Sequence, residues 1–221
     1  MPRTARIVVP GLPHHITQRG NYKQITFVDN SDYLRYLNWL EDYSAKYGLY
    51  LLAYCLIPNH IHVVAAPEKA NSMAKVFNVC HMQYSQYFNK KNERTGHLWQ
   101  GRFFSCALDE KHLYSAIRYI ENNPVRAKLV KKTGDWKWSS AKTHLNSSKS
   151  VVSLADVNKY IDVSNWSNYL AENEDQTLIS KIKAHTLTGR PLGNKNFIKK
   201  LEKRFNTRLK AFPRGRPKKE Q

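Results

Sequence analysis

Two histidines stand two positions apart in the segment PNHIHVVAA, residues 58–66. The β-branched residues around them predict a strand, in which residues i and i+2 point to the same face. His60 and His62 therefore share one face of a predicted sheet. Two neighbouring neutral imidazoles are suited to binding a divalent metal ion, whereas the plainer interpretation is two half-buried histidines without a ligand. Two ligands do not complete a metal site, so the rest of the chain must supply the others.

A tyrosine and an asparagine lie four positions apart at the end of a helix predicted over residues 109–123. Pro124 disfavours helical conformation in the residue before it and so marks the end of this helix. Tyr119 and Asn123 fall on one flank, where side chains at i and i+4 reach the same point in space. The amide oxygen would add a metal ligand and leave positions open for a phosphate, with the tyrosine beside it as nucleophile. A packing role for Tyr119 is the plainer alternative, and Tyr114, on the other flank, is a rival nucleophile.

The elements that must position these residues follow in the order strand, helix, strand, strand, helix, strand, helix. The strands are predicted at 14–21, 49–57, 60–66 and 102–108, and the helices at 31–48, 71–91 and 109–123. This order is typical of an α+β fold, a ferredoxin-like antiparallel sheet with helices packed on one face. A basic helical C-terminal extension follows.

Charge is the strongest signal in the composition. The 221 residues carry a formal net charge of +19, and residues 181–221 alone hold 14 basic and 2 acidic side chains. This excess indicates a polyanionic partner, and nucleic acid is favoured over a membrane surface because no basic amphipathic anchor is evident. The three cysteines form no CxxC pair, and the N-terminus lacks the apolar region of a signal peptide. We therefore expect a cytoplasmic protein, associated with the nucleoid and with no membrane partner.

Three regions are predicted along the chain: residues 1–145 with the candidate chemistry, a linker at 146–175, and a basic helical DNA-binding tail at 176–221. The turn TGRPLG between two predicted helices resembles a helix-turn-helix element, and PRGRPKK resembles an AT-hook, although a nonspecific phosphate-binding tail fits as well. An aromatic and basic loop at 96–103 is suited to stacking unpaired bases. The candidate DNA-binding residues are Arg19, Lys23, Trp99, Arg102, Arg190, Lys199, Lys203, Arg214, Arg216 and Lys218.

Five motifs together carry a family resemblance: HHITQRGN, NHIHVV, GHLWQGRF, YIENNPVRAKLV and WKWSS. Their order along the chain resembles that of the single-tyrosine transposases of the HUH superfamily. More narrowly, the chain looks like a REP-associated tyrosine transposase, a bacterial relative of insertion-sequence transposases. The resemblance covers roughly residues 10–145.

The resemblance implies an enzyme that cuts single-stranded DNA next to hairpins. In this family a tyrosine attacks the phosphorus, which gives a 5′-phosphotyrosine link and a free 3′-hydroxyl, and the reverse step rejoins strands. Tyr119 matches the nucleophile, His60 and His62 match the HUH pair, and Asn123 matches the residue that completes the metal site, for Mg²⁺ or Mn²⁺. Two alternatives remain: a catalytically idle DNA-binding regulator, and a nuclease that uses water. Both a monomer and a homodimer fit the sequence.

Overall fold

The computed structural model describes residues 6–146 and 149–209. Its strands are β1 (His14–Arg19), β2 (Leu49–Ile57), β3 (His60–Pro67) and β4 (Phe104–Ala107). Its α-helices are α1 (Asn30–Tyr47), α2 (Ser72–Lys91), α3 (Glu110–Glu121), α4 (Asn123–Arg126), α5 (Ala141–Asn146), α6 (Trp166–Ala171), α7 (Gln176–Thr188) and α8 (Lys195–Phe205). In the part of the chain that the structure describes, no helix is both long and apolar enough to span a bilayer.

The four strands form one antiparallel sheet in the order β2-β3-β1-β4. With α1 between β1 and β2 and α2 between β3 and β4, this is the ferredoxin-like arrangement, and the predicted α+β fold is confirmed. The central strands β1 and β3 pair in a register that sets Thr17 opposite His62 and Arg19 opposite His60. The histidine strand therefore lies in the interior of the sheet.

Helices cover both faces of the sheet, which corrects the expectation that they pack on one face. Ile16, Ile61 and Val63 face α1 and α2 in one core. Val64 and Cys106 face α3 and α7 in a second core. The reason is the composition of β2 and β3, which are buried at nearly every position and so need an apolar cover on both sides.

The segment predicted to be a linker is packed against the sheet layers over its described residues. Val152 lies in the first core, and a larger group joins the second core. This group comprises Val157, Ile161, Val163, Tyr169 and Leu170. Helix α7, predicted as the start of a separate tail, buries Ile179 and Ile182 in the same core. These apolar residues cover a sheet face that would otherwise be exposed to water.

Candidate active site

A cavity of about 420 Å³ opens on the sheet face that α3 and α7 cover. Six elements contribute residues to it, β4 through Phe104, and three of the six carry the predicted chemistry. The lining includes His15, Thr17 and Arg19 from β1, His60 and His62 from β3, Tyr119 from α3, Asn123 and Arg126 from α4, and Lys183, Thr186 and Leu187 from α7. The residues singled out at positions 60, 62, 119 and 123 thus meet in one place.

The two histidines of β3 point to the same face, with ring centroids 4.9 Å apart. Each uses its Nδ1 for a hydrogen bond: His60 to Asn59 Oδ1 at 2.6 Å, and His62 to His15 Nε2 at 2.9 Å. This leaves the Nε2 atom of each ring for the cavity. Burial lowers the pKa of His60 to about 3 and that of His62 well below its ordinary value, so both rings are neutral near pH 7. Neutral imidazole is the form that ligates metals.

Asn123 is brought to His60 by the junction between α3 and α4. Helix α3 ends at Glu121, two residues before the predicted end, and α4 starts at Asn123 with Pro124 in its first turn. Asn123 is therefore helical, contrary to the expectation for a residue that precedes proline. The Asn123 side chain is 8% exposed, and its Nδ2 lies 3.5 Å from His60 Nε2. An amide that turns over presents its oxygen at the same place.

The donor set fits a divalent ion that keeps open positions. It offers two imidazole nitrogens, each held by a hydrogen bond through its other nitrogen, and one amide oxygen. Over the described ranges, no cluster of three or more His, Cys, Asp or Glu side chains could hold a metal. A metal here would therefore depend on the amide of Asn123 as its third protein ligand.

Tyr119 lies against His62 and His15, with two cations over its ring. Its ring centroid is 5.5 Å from that of His62, and the two rings meet edge to face. The Arg126 guanidinium carbon lies 4.3 Å from the centre of the Tyr119 ring, and Lys183 Nζ lies 5.4 Å from it. Burial raises the pKa of Tyr119, and the positive charge of Arg126 opposes that rise. A nearby cation is what a phenol needs in order to act as a nucleophile near neutral pH.

Tyr114, the rival nucleophile, belongs to a different surface of α3. Its hydroxyl donates to Glu172 Oε1 at 3.2 Å, and its ring meets the edge of Tyr169 at 4.4 Å between centroids. It does not line the cavity that holds the histidines. Of these two tyrosines, only Tyr119 is placed to act with the histidine pair.

The sequence profile of the IS200-like transposases matches residues 8–123, just over half of the chain. The chain belongs to this transposase family. The match includes His60, His62, Tyr119 and Asn123 and ends before α5 begins. The residues that α7 adds to the cavity therefore lie outside the matched segment.

Among solved structures, this transposase resembles a REP-associated tyrosine transposase bound to a REP hairpin. The TM-score is 0.53 and the sequence identity 20%, over 74% of this chain and 96% of that chain. A protein of Deinococcus radiodurans R1, assigned as a putative transposase, is 22% identical over 55% of this chain and 97% of that chain, with a TM-score of 0.38. The comparison with curated proteins gave no match. At such identities the first likeness shows the shared fold.

Three of the predicted DNA-binding residues lie on the surface of the transposase near the cavity or the adjoining loops. Arg19 is exposed at its rim. Lys23 is exposed in the 3₁₀ turn Asn21–Lys23, with φ of 60°. Arg102 is exposed in the loop before β4. Their DNA contacts stay a prediction.

Trp99 is a core residue, which corrects the expectation that it stacks an unpaired base. It is 8% exposed, its indole N–H donates to the backbone carbonyl of His81 at 3.2 Å, and its ring packs against His81 and Tyr84. The mix of aromatic and basic residues in the loop at 96–103 favours base stacking. Composition alone, however, does not show which aromatic ring is buried in the core. Phe104, a few residues later, is the aromatic that reaches the cavity.

The remaining predicted DNA-binding residues belong to the C-terminal part. Arg190 is half-buried between α7 and α8, while Lys199 and Lys203 are exposed on α8. Arg214, Arg216 and Lys218, together with the AT-hook-like end, lie outside the described residues.

Several residues of the cavity were not predicted from the sequence, among them His15, Arg126, Lys183 and Thr186. A usable signal existed for His15, because it alternates with Thr17 and Arg19 along β1 and so shares their face. The two α7 residues are three positions apart on one helix face, but nothing in the sequence connects that face to the histidines more than a hundred residues earlier.

Proposed function

We propose that this transposase cuts single-stranded DNA next to hairpins through Tyr119, with a divalent metal ion held by His60, His62 and Asn123. The observation that carries the proposal is the convergence of these four side chains on one cavity, although β3, α3 and α4 supply them separately. A packing role for Tyr119 would not require the imidazoles of His62 and His15 and two cations around its ring.

The metal ion, Mg²⁺ or Mn²⁺, would polarise the scissile phosphate. Imidazole is a softer ligand than Mg²⁺ prefers, so the donor set suits Mn²⁺ at least as well. The chain's own contribution is to keep the rings of His60 and His62 neutral through burial, which lowers their pKa values, and correctly turned through the hydrogen bonds to Asn59 and His15.

Tyr119 Oη would attack the phosphorus and the bond from phosphorus to the 3′-oxygen would break. The products are a 5′-phosphotyrosine and a free 3′-hydroxyl, so the phenolic proton is in effect transferred to the leaving 3′-oxygen. Arg126 and Lys183 lie beside the ring and would offset the negative charge of the phosphate and of the developing phenolate. The reverse step, with another 3′-hydroxyl, would join strands.

The proposed DNA partner is a single strand that carries a hairpin. Arg19 lies at the mouth of the cavity and Lys23 is exposed in the turn that follows β1, and both would contact the phosphates of a stem. The similar solved transposase is bound to a REP hairpin, which supports the same class of partner here.

The test is covalent trapping on a library of hairpin-bearing single strands with randomised flanks, in the presence of Mn²⁺. A denaturing gel should show a protein–DNA adduct that Tyr119→Phe abolishes. Tyr114→Phe is the matched control, because it removes a hydroxyl from the same helix outside the cavity, and it should keep the adduct.

Other outcomes would contradict the proposal in distinct ways. Cleavage that persists in Tyr119→Phe without an adduct would show a nuclease that uses water. Hairpin binding without any cleavage, with Mn²⁺ and with Mg²⁺, would show a DNA-binding regulator.

A further inference from the structure

A buried hydroxyl of helix α7 is linked to the histidine pair by consecutive hydrogen bonds. Thr186 is 1% exposed, and its Oγ1 donates to the carbonyl of Ile182 at 2.7 Å. The same oxygen lies 2.8 Å from His15 Nδ1. A hydroxyl has a single proton and two lone pairs. Cys106 Sγ also lies 3.3 Å from this oxygen. With the hydroxyl proton directed to Ile182, the two lone pairs accept from the Cys106 thiol and from His15, so His15 carries its proton on Nδ1.

The direction of the next bond follows from the first. A neutral His15 with a proton on Nδ1 has a lone pair on Nε2, which lies 2.9 Å from His62 Nδ1. His62 must then donate from Nδ1, and its own Nε2 keeps a lone pair toward the cavity. A ring nitrogen binds a metal through such a lone pair, and its tautomer is set by the hydrogen bond at the other nitrogen.

We propose that Thr186 and His15 are positioning residues that fix the tautomer of His62. Helix α7 is then part of the active site, because it supplies Thr186. The inference rests on the proposed role of His62 as a metal ligand. It adds a requirement that the segment matched to the transposase family, residues 8–123, does not contain. The C-terminal region is then more than a DNA-binding tail, because its first helix prepares a ligand in the sheet.

The direct test is long-range ¹H–¹⁵N NMR of the metal-free full chain, which distinguishes the two neutral tautomers of each histidine. The wild type should show His15 and His62 with protons on Nδ1. Thr186→Val keeps the shape of the side chain but leaves His15 Nδ1 without an acceptor, so His62 should shift partly or wholly to the Nε2-protonated form. Thr186→Ser restores the hydroxyl and should restore the wild-type spectrum.

Mn²⁺ affinity, measured by calorimetry, gives a second readout. Thr186→Val should bind Mn²⁺ about 10- to 100-fold more weakly, the usual effect of losing the partner of a ligating histidine. Thr188→Val is the matched control on the same helix, because that exposed hydroxyl bonds only to the carbonyl of His185 among the described residues, at 3.1 Å. It should leave both the tautomers and the affinity unchanged.

The proposal is overturned if wild-type His62 carries its proton on Nε2, a result that needs no variant and so holds even if Thr186→Val fails to fold. It is equally overturned if Thr186→Val keeps the wild-type tautomers and binds Mn²⁺ within twofold of the wild type. Tyr119→Phe separates this inference from the proposed function, since it should abolish the adduct but leave the tautomers and the Mn²⁺ affinity unchanged.

Discussion

Arg126 contacts Tyr119 through both its charge and its hydrogen-bonding groups. The guanidinium carbon lies 4.3 Å from the ring centre, one nitrogen donates to the backbone carbonyl of Tyr119, and another pairs with Glu174. The side chain therefore holds the end of α3 in place and sets a positive charge beside the phenol. Lys183 supplies charge alone, and it does so from a different helix.

Replacing Arg126 should slow the formation of the tyrosine adduct without weakening metal binding. Arg126→Gln is expected to lower the single-turnover rate about 100-fold, because an oriented cation at a reacting phosphate contributes about 3 kcal/mol. Arg126→Lys keeps the charge but loses the paired donors, so its rate should fall less. Arg35→Gln, an exposed change on α1 across the sheet, is the control. Wild-type rates in Arg126→Gln would show that the cation is structural.

The sequence predicts those parts of the site in which the period of a strand or helix determines the direction of a side chain. Alternation along β3 placed His60 and His62 on one face, and the spacing of Tyr119 and Asn123 placed them on one side of a helix end. Thr186 was not predictable, because its importance arises from a contact with His15, 171 positions earlier in the chain. The burial of Trp99 could not be predicted from the sequence, because it depends on the packing of α1 and α2 around its ring.

At the scale of elements, Ser140 connects the start of α5 to β2 and to the end of α3. Its hydroxyl accepts from Tyr54 N at 2.9 Å and contacts both the Tyr54 carbonyl and the buried carboxylate of Glu121. His144 lies 2.7 Å from the same carboxylate oxygen. This cluster fixes the helix end from which Tyr119 and Asn123 project.

Ser140→Ala should destabilise the protein by about 2 kcal/mol, because the buried Tyr54 N–H loses its acceptor and the buried Glu121 carboxylate loses one of its two donors. Urea unfolding monitored by circular dichroism would measure the loss. Ser115→Ala removes a hydroxyl that bonds only locally, to the carbonyl of Lys111, and should change stability by less than about 0.5 kcal/mol. Equal stability of the two variants would mean that Ser140 does not hold α5, β2 and α3 together.

The long helices were predicted and the short helices α5 and α6 were not. Helices α1, α2 and α3 have an apolar stripe of the right period, whereas α5 and α6 have six residues each. Helices of that length are not stable by themselves and form because tertiary contacts hold them. Trp166 of α6, for example, stacks on His144 of α5 at 4.1 Å between ring centroids.

At the scale of the whole molecule, a chain that ends at residue 175 should not fold cooperatively. Without α7 the second core would be exposed to water, because Ile179 and Ile182 of that helix pack there with α3 and the sheet. We expect no sharp thermal transition and strong binding of a hydrophobic dye. A chain that ends at Leu209 is the control and should unfold like the full chain. A cooperative transition in the shorter chain would support the predicted domain boundary near residue 145.

Acid should destabilise the fold because several histidines are buried in the neutral form. Burial lowers the pKa of His81 from 6.5 to about 3, so the unfolded chain binds a proton that the folded chain does not. Its contribution to stability is therefore complete above pH 6.5 and is lost as the pH falls toward 3. His81→Gln should flatten the dependence of the unfolding free energy on pH by up to about 1.4 kcal/mol per pH unit in this window. Parallel curves for His81→Gln and wild type in urea titrations across this window would contradict the prediction.

The sheet order was implied by the order of elements, but the second layer was not. The segment before α7 has the sequence of a polar, acidic linker because its apolar residues are sparse, yet six of them are buried in the two cores: Val152, Val157, Ile161, Val163, Tyr169 and Leu170. Apolar residues scattered at such intervals have no period, so no local rule assigns them to a core.

One chain supplies the histidines, the tyrosine and the cations of the cavity, with Tyr119 and His62 only 5.5 Å apart. We therefore expect adduct formation to be first order in the protein–DNA complex. The rate of adduct formation per molecule is expected to stay constant when the protein is diluted from micromolar to nanomolar concentration at saturating DNA and Mn²⁺. Inactive Tyr119→Phe protein, added in excess to wild-type protein that has already bound DNA, should neither raise nor lower the rate of adduct formation.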